Sequence, residues 1–265
     1  MSGNAPRRPG EAGRLLHLKG WLVPVLLLAV WQYMAGLSQA HAHAFVPLQQ
    51  VVEAARQLIL SGELWLNLLG SLQRTSTGLV IGSLAGLALG ILLAFSRIAL
   101  TLVSPLFHSI RQVPLLGLTP LIALWMGNGE PAKIFLVSLA AFYPLVLNTY
   151  EGLRNVDPQY QELGRILGFN RLLLFRRVLL PAALPSIFTG LQQAVPFAWI
   201  TALGSELLFN AGTGLGSLMM TAEVGARMDI IIVCAVTVTL LGMLMSYLVG
   251  ALANRVLNRG TVKTG

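Results

Sequence analysis

Across positions 64–95 the chain carries a single charged side chain, Arg74. A hydrocarbon layer about 30 Å thick demands such runs, at about 20 residues per helical crossing. Further windows that reach or approach this length lie at 21–37, 100–126, 134–150, 186–209 and 230–253, which predicts six spans, the first and fourth short. At 55% hydrophobic and 11% charged, with mean hydropathy +0.72, the chain falls far below the roughly one-quarter charged residues of a soluble domain. Lipid offers no partner to a free N–H or C=O, so the spans must be helices or a closed barrel. Runs such as "LVPVLLLAV" do not alternate as barrel strands must. The expectation is an all-α integral membrane protein with six transmembrane helices.

The net charge of +8 is a matter of sidedness rather than a nucleic-acid signal. Most of the basic residues fall in one alternating set of connections. Arg7, Arg8, Arg14 and Lys19 lie in the tail 1–20, and Arg97 follows the second window. Arg154, Arg165, Arg171, Arg176 and Arg177 lie in the long connection 151–185. Arg255, Arg259 and Lys263 lie in the tail 254–265. The other connections hold Arg56, Lys133 and Arg227 beside Glu53, Glu63, Glu130, Glu223 and Asp229. Positive-inside bias therefore puts both termini and 151–185 in the cytoplasm. The chain divides into the basic tail, a first helix at 21–37, a five-helix core at 64–253 and the second tail.

Several features have plain readings. The basic N-terminus, its apolar run and "QAHAHA" resemble a cleavable signal peptide, but Trp21, Pro24, Trp31 and Tyr33 suit a retained anchor helix better. His41 and His43 stand two apart without further ligands, so no metal site is expected. Cys234, the sole cysteine, excludes a disulfide framework and reads as a small apolar side chain on a buried helix. "NAGTGLGS" fits neither a dinucleotide fingerprint nor a P-loop, because its glycine spacing is wrong and the lysine is absent. It reads as an extracytoplasmic turn, and the chain carries no ATPase site of its own.

The second span holds Gly78, Gly82, Gly86 and Gly90 at a strict spacing of four. Four residues turn a helix by about 400°, so these glycines form a shallow ridge that another backbone can approach. Gly242, Ser246 and Gly250 repeat the device in the last span. Packing within one bundle and packing between subunits are both open at this stage. In "RQVPLLGLTPLIALWMG", Pro114 and Pro120 break the third span, as in transporters whose interrupted helices line a cavity. Arg111 precedes the break, and two readings stand: it faces a pathway at membrane depth, or it reaches back to the cytoplasmic interface. Glu206, the acid inside an apolar window, either makes a polar contact near the outer end of the fifth span or lines an outer gate. An ion-coupled secondary transporter would want more such groups.

"QELGRILGFNRLLLFRRVLLPAALP" at 161–185 carries four arginines, at about 2.5–3.5 kcal/mol each to insert, so it cannot be a seventh span. Asp157 and Pro158 start a helix, and Tyr160, Leu163, Ile166 and Leu167 recur at helical spacing. Gly168 supplies the stop. Asn170 caps a second helix through Leu172, Leu173, Phe175, Val178 and Leu179, with Arg176 and Arg177 near its end, and Pro181 is expected to end it. The result is a cytoplasmic helical hairpin with an apolar face that wants a protein partner. An interfacial helix on anionic lipid is the alternative.

Glu162, Gly168, Leu180 and Pro181 match the loop signature E-A-A-x3-G-x9-I-x-L-P of ABC importer permeases, with Leu163 and Gly164 in place of the alanines and Val178 in place of isoleucine. The resemblance extends through "WLVPVLLLAVWQ", "SGELW", "EPAKIFLV" and "LPAALPSI", and is closest to the nitrate, taurine and aliphatic sulfonate import group. It implies the type I importer permease fold. It also implies a non-enzymatic subunit that works as a homodimer with a second permease copy, embedded in the lipid of a bacterial inner membrane. A cytoplasmic ATPase subunit would bind ATP and Mg, and a periplasmic or lipid-anchored solute-binding protein would deliver the solute. By the same resemblance the helix at 158–167 is the coupling helix, so that Tyr160, Glu162, Leu163, Gly164, Arg165, Leu167, Gly168, Val178, Leu180 and Pro181 form the docking loop. Arg111, Pro114, Pro120 and Glu206 are pathway candidates. A small anion is the expected solute; related permeases also carry neutral vitamin precursors.

Overall fold

The computed structural model of the chain describes residues 46–209 and 212–260, together with 23, 26–27 and 29–36. The first predicted span, the tail 1–20, His41, His43 and Lys263 therefore lie largely or wholly outside the described residues. Residues 29–35 are helical, and the Trp31 indole N–H donates to the Val46 carbonyl at 2.9 Å. Every regular element among the described residues is helical. In chain order they are α1 (Leu48–Leu60), α2 (Glu63–Phe95), α3 (Arg97–Ile110), a 3-10 turn (Leu115–Leu118), α4 (Thr119–Met126), α5 (Glu130–Arg154), α6 (Pro158–Ile166), α7 (Arg171–Leu174), a π-helical turn (Phe175–Leu179), α8 (Leu180–Phe209), α9 (Leu215–Val224) and α10 (Met228–Gly260). Four runs are long and apolar enough to cross a membrane, and α3 with the 3-10 turn and α4 makes a fifth if the bent pair is one span.

The core is α5 held between α2 and α8. The glycine ridge of α2 faces α5 in step: Gly78 meets Val137, Gly82 meets Ser138 and Ala141, Gly86 meets Phe142 and Leu145, and Gly90 meets Thr149. Both sets of residue numbers rise together, so the two helices run parallel. A Cβ on Gly82 would strike the Ser138 carbonyl oxygen, and one on Gly86 would lie 2.7 Å from that of Phe142. Backbone carbonyls cannot step aside as a flexible side-chain tip does. On the other face Gly152 meets Ser186 while Gly190 meets Asn148 and Pro144, so α5 and α8 run antiparallel. The Ser186 hydroxyl donates to the Asn148 carbonyl at 2.8 Å. Gly242 of α10 abuts the Trp199 indole of α8, whereas Gly250 meets nothing within 4 Å.

Three parts depart from the sequence reading. Residues 48–60, expected as a connection, form α1, with Ala54 and Leu58 buried against Trp199, Leu215 and Cys234. Val51, Ala54, Ala55 and Leu58 follow the helical period, in a segment too short to span. Residues 215–224 likewise form a helix, α9, rather than part of a turn. The third departure is at Pro181, which does not end its helix: 171–209 is one helical run. A proline ring clashes with the carbonyl four residues back, here that of Arg177. The π-helical turn Phe175–Leu179 widens the helix at that carbonyl and lets the run continue.

Crowding at Gly82 and openness at Gly250 set opposite expectations. Gly82→Ala should destabilise the protein by about 1–3 kcal/mol through overpacking, while Gly250→Ala should be neutral or stabilising, since alanine is the better helix former by about 1 kcal/mol. Thermal unfolding of both variants in detergent measures this. Equal tolerance at the two positions would refute the close α2–α5 contact.

Candidate functional site

Three sites lie along the α5–α8 pair: a hairpin at one end, a cavity at mid-length and a charge cluster at the other end. The hairpin is built from local chemistry. The Asp157 carboxylate accepts from the Gln159 N–H at 2.9 Å and caps α6. At its C-terminus the Gly168 N–H donates to the Arg165 carbonyl and the Phe169 N–H to that of Gly164, both at 3.0 Å. This paired closure needs a left-handed residue, and Gly168 supplies it at φ +75°. The Asn170 side chain accepts from the Leu173 N–H at 2.8 Å and starts α7. Gly164 is buried, and a methyl there would displace the Leu174 side chain, so α6 lies against α7 at close range. Leu179 packs with Leu153, Val156 and Ala183, and the Phe175 ring meets Phe95 edge-on at 5.6 Å.

The hairpin presents its apolar residues outward. Tyr160, Leu163, Leu167 and Ile166 are exposed, Ile166 to 82%. Glu162 and Arg165 are exposed beside them, Val178 and Leu180 are half-buried, and Pro181 is exposed at the base.

The cavity, of about 550 Å³, lies between the broken span, α5 and α8. Arg111, Pro114 and Leu116 line it from the break, Tyr143 from the middle of α5, and Gln193, Phe197 and Thr201 from α8. α3 and α4 meet there at 88°. Pro114 precedes the 3-10 turn and Pro120 lies in the first turn of α4, where a missing N–H costs nothing. Arg111 shares this cavity with Ala140, Tyr143 and Leu147 of α5. Its side chain makes no hydrogen bond or ion pair among the described residues.

The third site involves residues that sequence reasoning left apart. Glu206 does not line the cavity: it is fully buried and ion-paired with Arg74. The Ser71 hydroxyl hydrogen-bonds its carboxylate, and the Gly216 N–H donates to it at 2.8 Å. Arg74 also grips Glu130 with two N–H groups at 2.6 and 2.8 Å and donates to the Thr213 carbonyl at 3.0 Å. The Lys133 ammonium, fully buried, lies 3.6 Å from Glu130. Two cations and two carboxylates thus neutralise one another. The segment 212–216 closes over them, because a Cβ on Gly214 or Gly216 would collide with Glu206. The Asn67 side chain accepts from the Gly214 N–H, and Ser71 Oγ from the Leu215 N–H, both at 2.8 Å. The glycines of "NAGTGLGS" therefore seat a loop on a buried carboxylate; Asn210 and Ala211 lie outside the described residues.

Residues 78–258 match the family described as binding-protein-dependent transport system inner membrane component. The chain belongs to that family. It is 36% identical over 82% of its length to a Bacillus subtilis protein named as the aliphatic sulfonates transport permease SsuC, covering 78% of that protein. It is 37% identical to the Escherichia coli protein of the same name, over 87% of each chain. The nitrate import permease NrtB of Leptolyngbya laminosa is 33% identical over 87% of this chain and 84% of its own. Among solved structures, the inward-facing MetNI methionine ABC transporter aligns with TM-score 0.54 at 21% identity, covering 72% of this chain and 93% of that one. An amino acid ABC transporter aligns with TM-score 0.58 at 21% identity, covering 73% and 92%. The fold is that of an ABC importer permease, and the protein is a multi-pass membrane permease.

In this permease the Arg74–Glu206 contact makes a thermodynamic prediction. Removing one partner of a buried pair costs about 3–5 kcal/mol, whereas removing both costs far less than the sum. Arg74→Met and Glu206→Gln should each destabilise strongly, and the double variant should show about 1–3 kcal/mol of coupling. Unfolding free energies of the four proteins in one detergent measure the cycle; additive effects would refute the pairing.

Proposed function

We propose that this permease forms the membrane pathway of an ATP-driven importer for a small oxyanion, foremost an aliphatic sulfonate, and that it works as a pair of identical copies. A cytoplasmic ATPase subunit binds ATP and Mg and docks on α6; a periplasmic or lipid-anchored binding protein delivers the solute to the end that carries 212–216. The observation that carries the ATPase role is the hairpin itself, capped at both helix starts, closed by Gly168, and holding Tyr160, Leu163, Ile166 and Leu167 in solvent. A capped apolar face left out of the core is what a partner groove covers. The positive-inside bias favours a cytoplasmic position for it and for both termini. The anion reading draws on the relatives' names and on Arg111 in the cavity.

The hairpin continues without a break into α8, so displacement of α6 by its partner is transmitted along one helix to Gln193, Phe197 and Thr201. Closure of the ATPase pair would then alter the cavity and its access, and nucleotide release would restore it. The chain itself needs only to bind, guide and move.

Glu162→Arg and Gly168→Pro should abolish co-purification of the ATPase and lower ATP-driven uptake by at least tenfold, with the permease still inserted in the membrane. Proline at 168 cannot adopt φ +75° and removes the closing N–H. Undiminished co-purification and uptake in both variants would exclude the docking role.

A further inference from the structure

We infer that the cavity at Arg111 is a solute subsite within the permease itself, selective for an alkyl monoanion over a zwitterion or a bare inorganic anion. This rests on the reading of the chain as a small-anion importer. Arg111 is the only charged residue among those lining the cavity, and no lining carboxylate balances it. Its guanidinium has five N–H donors in a planar fork that suits two oxygens of a sulfonate. The Asn148 amide nitrogen donates to the Pro144 carbonyl at 2.9 Å and to Gln193 Oε1 at 3.1 Å. Gln193 is thereby held by its oxygen, which leaves its NH2 group as a second donor to the cavity. Tyr143 and Thr201 add hydroxyls.

The rest of the lining is apolar, with Leu116, Leu147 and Phe197 prominent. At about 550 Å³ the space lies within the ~300–1,000 Å³ common for small-molecule sites, far more than one inorganic anion fills. An alkyl chain would cover those walls and exclude water from them. A zwitterionic sulfonate would instead bring its ammonium into a site with one cation and no acid, where like charges repel and the ammonium loses its hydration without compensation. A sulfonate stays ionised at every physiological pH, so the charge that Arg111 recognises is permanent.

The test uses the permease–ATPase complex in lipid nanodiscs without its binding protein, with radiolabelled butanesulfonate in equilibrium dialysis to millimolar concentration. Saturable binding is expected, at least tenfold tighter than for taurine or nitrate in competition. Arg111→Gln should lose tenfold or more, and Arg111→Lys should keep part of the affinity. Phe197→Ala should narrow the preference for butanesulfonate over methanesulfonate. Thr201→Val, on the regular helix α8, keeps the test decisive if the Arg111 variants fail to fold, with a loss of severalfold expected. Absence of saturable binding, equal affinity for taurine, or wild-type affinity in Arg111→Gln or in both α8 variants would overturn the subsite. ATP-driven uptake in proteoliposomes with the binding protein present tests the parent reading separately. Sulfonate uptake that survives while the subsite fails leaves the importer intact, and absence of any anion uptake by the wild-type complex overturns both.

Discussion

The guanidinium of Arg74 holds one end of the bundle together. It pairs with Glu206 of α8, grips Glu130 at the start of α5 and reaches the carbonyl of Thr213 in the loop before α9. Sliding α2 against α8 by one helical turn, about 5.4 Å, would strand the buried Arg74 and Glu206 charges without a partner. The ion cluster therefore fixes the register of α2, α5 and α8, and the glycine ridge fixes how closely they lie. The two constraints support each other. The backbone contact at Gly82 and Gly86 is attractive only through dispersion and is indifferent to small slips, whereas the charges punish a slip but tolerate separation through water. Together they specify one arrangement.

Such a cluster is better understood as a specificity device than as a source of stability. Desolvating the buried Arg74, Lys133 and Glu206 consumes most of what the attraction within the cluster returns, while Glu130 stays half-exposed. What the arrangement secures is the position of 212–216, whose Gly214 and Gly216 can approach the Glu206 carboxylate only because they lack side chains. A rigid loop at that end and a capped hairpin at the other give the bundle two defined surfaces, with the cavity between them.

Much of this was legible in the sequence because its causes are local. The glycine ridge follows from spacing alone, and Asp157, Gly168 and Asn170 mark the hairpin through capping chemistry that acts within a few residues. The Pro114 and Pro120 break was equally local. The ion cluster was not: Arg74 and Glu206 each looked like an isolated charge in an apolar window, and nothing in their neighbourhoods names the other. The available signal was that opposite charges stood near the same predicted end of two spans, where lipid would leave neither alone. Lys133 misled for a related reason. A lysine near a predicted helix start counts as a loop charge, although here it is fully buried three residues from Glu130. Pro181 defeated a local rule by a local remedy, since the widened turn that accommodates it has no distinctive sequence. α1 and α9 were hidden because each is too short to span.

The run 171–209 gives the fold its mechanical character. It begins at the hairpin, passes the cavity at Gln193, Phe197 and Thr201, and ends with Glu206 in the ion cluster. α5 parallels this course in the opposite direction, from Glu130 in the cluster past Tyr143 to Leu153 beneath the hairpin. A force on α6 is therefore carried by covalently continuous helix on one side and by close-packed helix on the other. At the cluster end it meets a group of charges that resists sliding and so behaves as a fixed point. If a partner docked on α6 pushed that end while the cluster held the other, the segment between would tilt or bend, and the cavity lies there. The π-helical turn and Pro185 and Pro196 within α8 give that helix places where bending is cheap, because each already lacks or displaces a regular backbone hydrogen bond. On the proposed docking at α6, access to the cavity would change by flexing α8 about its anchored end, without any breach of the α2–α5 contact.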